Sequence, residues 1–461
     1  MVYVVSVAGG QPAEIGYGRS PVWSPDGNGL LYLRARGGPL EPEWAFTNLD
    51  GEEPAFTGAM EVLRESGLDG DPKILWGPVF VPQRWLDDGR VLFSGRAGQA
   101  FNIWAISVTR GNGRVSGLPQ RITTGSGEHR FAGAVEDGRI SFSDVRENYD
   151  IWILPADTNL GKATGEIQRA TSNTAADHYP SLSADGTKLA FWSNRSGRGG
   201  IWLKDLITQA LKPLTSTDVR EGASLFTKAD GEFVAYATFG AAAVAGPSYD
   251  TYSIRTTDGI RQKLCEDCGF MSDWSPSGKL LVGFGSSTAS RVPDSVDDLG
   301  TTLTDLKSRR SRVLFRTNWA NARFSPNEKW LAFHRNAKNF IRQVFIAPIP
   351  AEGEVDESQL IPITDGSHNS FRPDWSSDGK LIFYGSDRDG YSCIYSQPLD
   401  PDTKRPSGPV REVYHSHDAR LSMAAIRNPA YLGLSVAQDK IAFTMAEITG
   451  DIWIMEPRDA E

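Results

Sequence analysis

The chain has 461 residues, 39% of them hydrophobic, 10% aromatic and 23% charged, with 47 Gly, 27 Pro and 13 Trp. That mixture excludes a disordered chain and describes a globular protein rich in turns. The formal net charge of -9, from 48 basic and 57 acidic side chains, argues against the broad basic surface that holds a phosphate backbone, so no nucleic-acid partner is expected.

The chain opens with a lone strand, VYVVSV, at about residues 2–7. The opening carries neither the basic region nor the apolar run of a signal peptide, and no later stretch reaches the roughly 18 apolar residues of a membrane span, so no membrane insertion is expected. WSPDG at 23–27 follows, and then LLYLRAR. The same order of tight turn and apolar strand recurs as WLDDG with RVLFSGR, VEDG with RISFSDV, LSADG with TKLAFWSNR, KADG with EFVAYATF, WSPSG with KLLVGFGS, FSPNE with KWLAFHRN, WSSDG with KLIFYGSDR, and VAQD with KIAFTMAE. Each copy reads as a β-hairpin. A third strand comes 10 to 20 residues later, as in NIWAISV, DIWILPAD, GIWLKDL and DIWIMEP, and a short fourth strand such as QRITTG, KPLTS or IPITDG usually follows.

The turns centre on Asp26, Asp88, Asp137, Asp185, Asp230, Ser277, Asn327, Asp378 and Asp439, giving gaps of 62, 49, 48, 45, 47, 50, 51 and 61 that leave 48 residues over, one more period. A period in the forties with four strands per unit is the signature of propeller blades. The expected fold is therefore all-β: a single closed β-propeller of four-stranded antiparallel blades, with about nine repeats and eight blades as the alternative. One domain covers 1–461, and the last blade (about 435–457) is closed by the N-terminal strand, because an unpaired outer edge would invite aggregation.

WSPDG, LSADGTKLAFWSNRSGRGGIWLKDL and DWSSDGKLIFYGSDRDGYSCIYSQPL resemble the WD40-like (PD40) repeats of TolB-type β-propellers over essentially the whole chain. The resemblance implies the propeller fold. It leaves function open among periplasmic scaffolds, sensor modules of bacterial proteins, and gating domains of serine peptidases.

Candidate chemistry is sparse. No G-x-S-x-G nucleophile motif occurs, so no catalytic residue is expected. Cys265 and Cys268 form CEDC, but four zinc ligands would need a second pair; the pair reads as free or locally bridged. His129, His178 and His368 each precede the first strand of a blade, where imidazoles on one rim would meet a metal or an anion; the plainer reading is hydrogen bonding to the adjoining blade. His415 and His417, in HSHD, lack a defined third ligand. The acidic loops DSVDDLG from 294 and DRDG from 387 lack EF-hand spacing. KSRRSR at 307–312 reads as an exposed hairpin. Recurrent arginines (Arg36, Arg96, Arg195, Arg335, Arg388, with Arg146 nearby) read as structural pairs with turn aspartates of neighbouring units. Trp104, Trp152, Trp202 and Trp453 read as blade-to-blade packing.

The two longest gaps hold inserts, one with a short helix near Met60 to Ser66 and one around DARLSMAAIRNPAYLGL. Long loops on a rigid scaffold concentrate binding, so a patch including Trp76, Phe80, Met423 and Tyr431 is the expected contact surface. The expected function is a non-catalytic scaffold or sensor module that binds a protein or peptide partner through its loop-bearing face. Neither cofactor nor metal is expected, and the chain is expected to be monomeric. Its location is periplasmic or extracytoplasmic if a signal or upstream membrane segment precedes it, and otherwise cytoplasmic. The alternatives are the gating propeller of a serine peptidase, or a small-ligand or metal-binding propeller with lyase-like activity.

Overall fold

The computed structural model describes residues 1–36, 41–48, 53–70, 79–98, 100–125, 127–135, 137–197, 199–215, 221–227, 230–239, 249–266, 268, 270–286, 299–316, 321–336, 341–418, 420–423 and 432–456. All nine predicted hairpins are present, six in separate four-stranded antiparallel sheets and those at Asp88, Asp137 and Asp439 within one eleven-stranded sheet, and the fold is the all-β propeller type that the repeat implies. The blades fall into two compact units, Met1–Glu147 with Ile448–Glu461, and Asn148–Glu447. A constant repeat length specifies each blade but not which blades share a ring, so the single domain over 1–461 was not readable from the period alone.

Five blades of the 148–447 unit follow the expected pattern, beginning with the strands Asp177–Leu182, Glu221–Thr227, Phe270–Trp274, Arg323–Phe324 and Ser370–Trp375. The sixth is assembled from both ends of the unit. Ser435–Val436 pairs with the first half of Lys440–Met455, and Gln168–Arg169 pairs with the second half of Ile140–Asp157. The two halves lie side by side, with the Ala156 N–H donating to the Asp439 carbonyl at 3.0 Å. Each inner strand touches the next, and Ser435–Val436 touches both Ser370–Trp375 and Asp177–Leu182, so a ring of six blades closes.

This closure replaces the expected one. Residues 148–157 and 168–169 complete the blade that begins at 435, which leaves no vacancy there for the N-terminal strand. Val2–Val4 pairs instead with Ala13–Gly16 in a two-stranded sheet, and Val2 is buried against Tyr32 and Ala45.

The Met1–Glu147 and Ile448–Glu461 unit holds one separate four-stranded blade, starting at Arg19–Trp23, and a blade starting at Pro82–Trp85 that is continuous, through Glu128 beside Phe101, with Glu128–Ala134, the first half of Ile140–Asp157 and the second half of Lys440–Met455. Trp44, Phe46, Trp85 and Phe93 form its core, with edge-to-face contacts Trp44–Phe93 at 5.9 Å and Phe46–Trp85 at 5.8 Å. The expected helix is present as Ala59–Glu65. Its apolar stripe, Ala59, Met60 and Leu63, packs into the same core, so the first insert is a structural plug.

The turn chemistry explains why the repeat is so visible in the sequence. Ser376 donates to Asp378 Oδ1 at 2.7 Å and its oxygen accepts the N–H of Leu381 at 2.9 Å, while Gly379 takes the left-handed conformation at φ 69°. Ser24 with Asp26 and Ser183 with Asp185 repeat the first contact at 2.5 Å. In FSPNE, which lacks the glycine, Glu328 accepts φ 57°, and its carboxylate receives the Ser277 hydroxyl of the preceding blade at 3.0 Å.

The recurrent arginines pair within their own blades, not with neighbouring turns. Arg195 chelates Asp177 at 2.8 and 3.0 Å and lies over the rings of Phe191 and Trp202, while Arg335 and Arg388 lie over Phe345 and Tyr395. Trp453 departs from the packing role expected of the IW strands, being 54% exposed. Replacing Ser376 with Ala strands the buried Leu381 N–H and should lower the unfolding free energy by about 1–3 kcal/mol in urea denaturation. An unchanged midpoint would show the turn serine to be dispensable.

Candidate functional site

The inner strands of the six-bladed ring are bulged, and the bulges decide what reaches its centre. Register shifts fall between His178 and Ser181 and between Phe371 and Asp374, where Tyr179 and Arg372 adopt positive φ of 55° and 52°. A bulge re-aims a side chain, and a left-handed non-glycine residue is uncommon enough to mark a constrained position. Both bulges precede a proline, Pro180 and Pro373, in strands that line the ring.

The strongest polar cluster in this unit links successive inner strands. Arg323 donates to Asp374 at 3.0 and 3.3 Å and to Asp273 at 3.4 Å, while Asp273 also accepts the Phe324 N–H at 2.8 Å and Asp374 the Val436 N–H at 2.9 Å. Burial pushes the Asp273 carboxyl up to about 6 against the pull of Arg323. Burial works downward on Arg323 as well, but the two carboxylates outweigh it and hold the guanidinium above its usual range. Arg372 is brought down to about 10, first by burial and then, with Tyr179 opposing, by Arg323 and Arg342. His334 is buried, accepts the Arg372 N–H at 3.4 Å, and is drawn down to about 3 by burial and by Arg372 and Arg342. Arg372 and Arg342 remain half-buried, with surface still open to solvent. The centre of the ring thus gathers three guanidiniums, the Asp273 and Asp374 carboxylates that pair with Arg323, and a neutral imidazole in one restricted space.

The residues expected from sequence lie elsewhere. His129, in the 1–147 unit, is buried, with Nδ1 2.7 Å from the Thr123 hydroxyl and its ring 4.8 Å from Phe142; burial lowers its pKa. His178, in the 148–447 unit, is buried and stacked on Trp192 at 5.6 Å. His368 is exposed in the turn after Ile361–Pro362. His129 meets Thr123, which follows the last strand of the preceding blade, whereas His178 stacks on Trp192 of its own blade. The contact patch fails for a different reason. Phe80 is fully buried 5.7 Å from Phe93, its carbonyl accepting the Trp44 indole N–H at 2.7 Å, and Met423 is buried too. An apolar insert finds core before it finds a partner. Trp76, Tyr431 and the acidic loop from 294 lie outside the described residues.

Sequence reasoning missed the ring-centre cluster because Asp273, Arg323 and Arg372 are about 50 residues apart and belong to strands that look alike. The available signal was an unusual charge at the inner strand: DW at 273 and 374, and an Arg before Phe324. Among the described residues, one group could hold a metal ion, Asp389, Cys393, His415 and His417, all in the blade that starts at Ser370 or just after it. CEDC is locally bridged: Cys265 and Cys268 form a disulfide.

No family model matches the sequence, and no curated protein matches it. Solved structures do resemble it. TolB from Acinetobacter baumannii is 15% identical with a TM-score of 0.42, covering 69% of this chain and 80% of its own. An oligogalacturonate lyase from Vibrio parahaemolyticus is 13% identical with a TM-score of 0.40, covering 66% and 98%. The β-propeller domain of the Trilobed protease from Pyrococcus furiosus is 12% identical with a TM-score of 0.37, covering 74% and 84%. The strand pairing itself shows an all-β propeller-type fold.

The buried pair Asp273 and His334 should give opposite pH dependences. The raised Asp273 binds a proton in the folded state that the unfolded chain has released, so its contribution is full below about pH 4 and is lost as pH rises through 6. The depressed His334 stays neutral while the unfolded histidine charges, so its contribution is lost as pH falls from 6.5 toward 3. In thermal melts from pH 3 to 7, Asp273→Asn should steepen the gain of stability with pH by about 3 kcal/mol and His334→Asn should flatten it by about 5 kcal/mol. Identical slopes in both variants would contradict these environments.

Proposed function

We propose that the chain is a non-catalytic binding module and that the centre of the 148–447 ring takes a carboxylate-bearing segment of a protein or peptide partner. The observation that carries this reading is Arg372. A bulge brings it to the centre in a left-handed conformation, half open to solvent, beside two more guanidiniums. A carboxylate entering there would relieve like-charge crowding and offer a planar acceptor to a planar donor. The ring supplies the rigidity that such a contact needs, since six blades hold the inner strands in place. Relative to the expectation from sequence, the contact surface moves from the long inserts to the ring centre, because the insert residues Phe80 and Met423 are buried.

The module is proposed to work as a monomer outside the cytoplasm. The Cys265–Cys268 disulfide supports that location, since such bonds persist in oxidising compartments. Among the described residues no helix is long and apolar enough to cross a membrane.

The test uses twelve-residue peptides rich in Asp and Glu, with Asn and Gln counterparts as controls, followed by fluorescence polarisation at two salt concentrations. Acidic peptides should bind more tightly and weaken with salt, and Arg372→Ala or Arg342→Ala should each reduce affinity about tenfold. Equal binding of acidic and amide peptides, or an unchanged affinity in Arg372→Ala, would refute the site. Turnover of a bound peptide would refute the non-catalytic reading.

A further inference from the structure

The last strand of the blade that starts at Ser370 ends beside the turn joining its second and third strands. Ile394 pairs with Tyr414 across Cys393–Pro398 and Arg411–Tyr414, which brings His415 and the segment after it against Cys393 and the turn 387–390. Four side chains converge there. Asp389 Oδ2 lies 2.9 Å from His417 Nε2, 3.0 Å from His415 Nδ1 and 3.6 Å from Cys393 Sγ, and the two imidazole nitrogens are 3.2 Å apart. All four ligand atoms fall within 4.8 Å of one another.

Two details distinguish this cluster from an ordinary hydrogen-bonded group. The first is the placement of His415. Its Nε2 is 3.0 Å from Glu412 Oε2 and its Nδ1 is 3.0 Å from Asp389 Oδ2, so each ring nitrogen faces a carboxylate oxygen. A carboxylate on the outer nitrogen of a histidine is also the arrangement that orients metal-ligating imidazoles. The second detail is Cys393. It is a buried free cysteine whose sulfur accepts the Ser416 N–H at 3.4 Å and whose thiol donates to Asp389 Oδ2 at 3.6 Å, which places a potential thiolate beside both imidazoles.

We propose that Asp389, Cys393, His415 and His417 form a four-coordinate site for a zinc-type divalent cation. A tetrahedral ion with bonds of about 2.0–2.3 Å sets its ligand atoms roughly 3.3–3.6 Å apart, so the carboxylate and the two imidazoles need to open by a few tenths of an ångström while the sulfur, within 4.8 Å of its farthest partner, closes in on them. One thiolate, two imidazoles and one carboxylate are the donors zinc prefers over calcium or magnesium. Loading replaces the Cys393 proton, which leaves to solvent, with a metal–sulfur bond. His415 and His417 are 37% and 47% exposed, which gives the ion a path in, and Tyr391 stacks on His417 at 4.4 Å to fix its ring. Four protein ligands make the site structural: it pins the 387–390 turn to the segment leaving Arg411–Tyr414.

The full chain, stripped with a chelator and dialysed, is titrated with Co2+ followed by absorbance, and with Zn2+ by calorimetry. One equivalent should bind with a dissociation constant below micromolar and with a thiolate-to-cobalt charge-transfer band. Cys393→Ser should abolish the band, and His417→Ala should weaken binding at least a hundredfold. Glu412→Gln, which leaves every ligand in place, should weaken it about tenfold. The double variant Cys265→Ser with Cys268→Ser should bind as the parent does. Urea denaturation of the stripped variants shows that each is folded. Absence of stoichiometric binding up to about millimolar metal would overturn the site, as would a band that follows Cys265 and Cys268.

Discussion

The 148–447 ring depends on one backbone pairing between its two ends. Ala156 donates to the Asp439 carbonyl at 3.0 Å, and the Thr158 hydroxyl donates to the Ala437 carbonyl at 2.7 Å across 279 residues of chain. Without that pairing the ladder of 148–157 with 168–169 loses its neighbour on the other side, and Ser435–Val436 loses the blade it begins. Side chains then lock the closed ring. Lys440 reaches the Gly186 carbonyl at 2.8 Å and Lys188 the Gly231 carbonyl at 3.0 Å, so the first lysine after a turn latches onto the next blade's turn. Asn159 receives Ser377 and Asp378 at 3.0 and 3.1 Å on the other side of the closing blade.

The ring centre inherits its chemistry from that closure. Asp374 is shared between Arg323 and the N–H of Val436, the first residue pair of the closing blade. The same carboxylate therefore balances a buried guanidinium and holds the seam. Polar groups placed this deep are costly unless satisfied, and here each is satisfied by a different inner strand, which ties electrostatics to ring integrity.

Much of the fold was legible in the sequence because the turns obey local chemistry. Ser376, Asp378 and Gly379 perform their roles within six residues, so WSSDG announces a hairpin wherever it occurs. Grouping was not legible. The hairpins at Asp137 and Asp185 look alike in sequence, yet they belong to different units, because which strands meet is decided by long-range packing. The insert was misread for a related reason: its length suggested a contact loop, whereas the stripe Ala59, Met60 and Leu63 had already specified burial. In the metal-ligating group, DRDG and HSHD were each noticed and each found short of ligands. Only the strand register that sets Ile394 beside Tyr414 brings them together with Cys393.

The two-ended closing blade also has a consequence for vectorial synthesis. Residues 148–169 leave the ribosome early, and their hydrogen-bonding partners at 435–447 emerge only after the other five blades have been made. Bringing ends about 280 residues apart together costs roughly 5 kcal/mol of chain entropy in an unfolded polymer, but far less once five folded blades have already curved them toward each other. Until then the early segment carries an exposed strand edge, the kind that chaperones cover and that neighbouring nascent chains can capture. Emergence of residues 435–447, and not of any earlier blade, sets the moment at which that edge disappears.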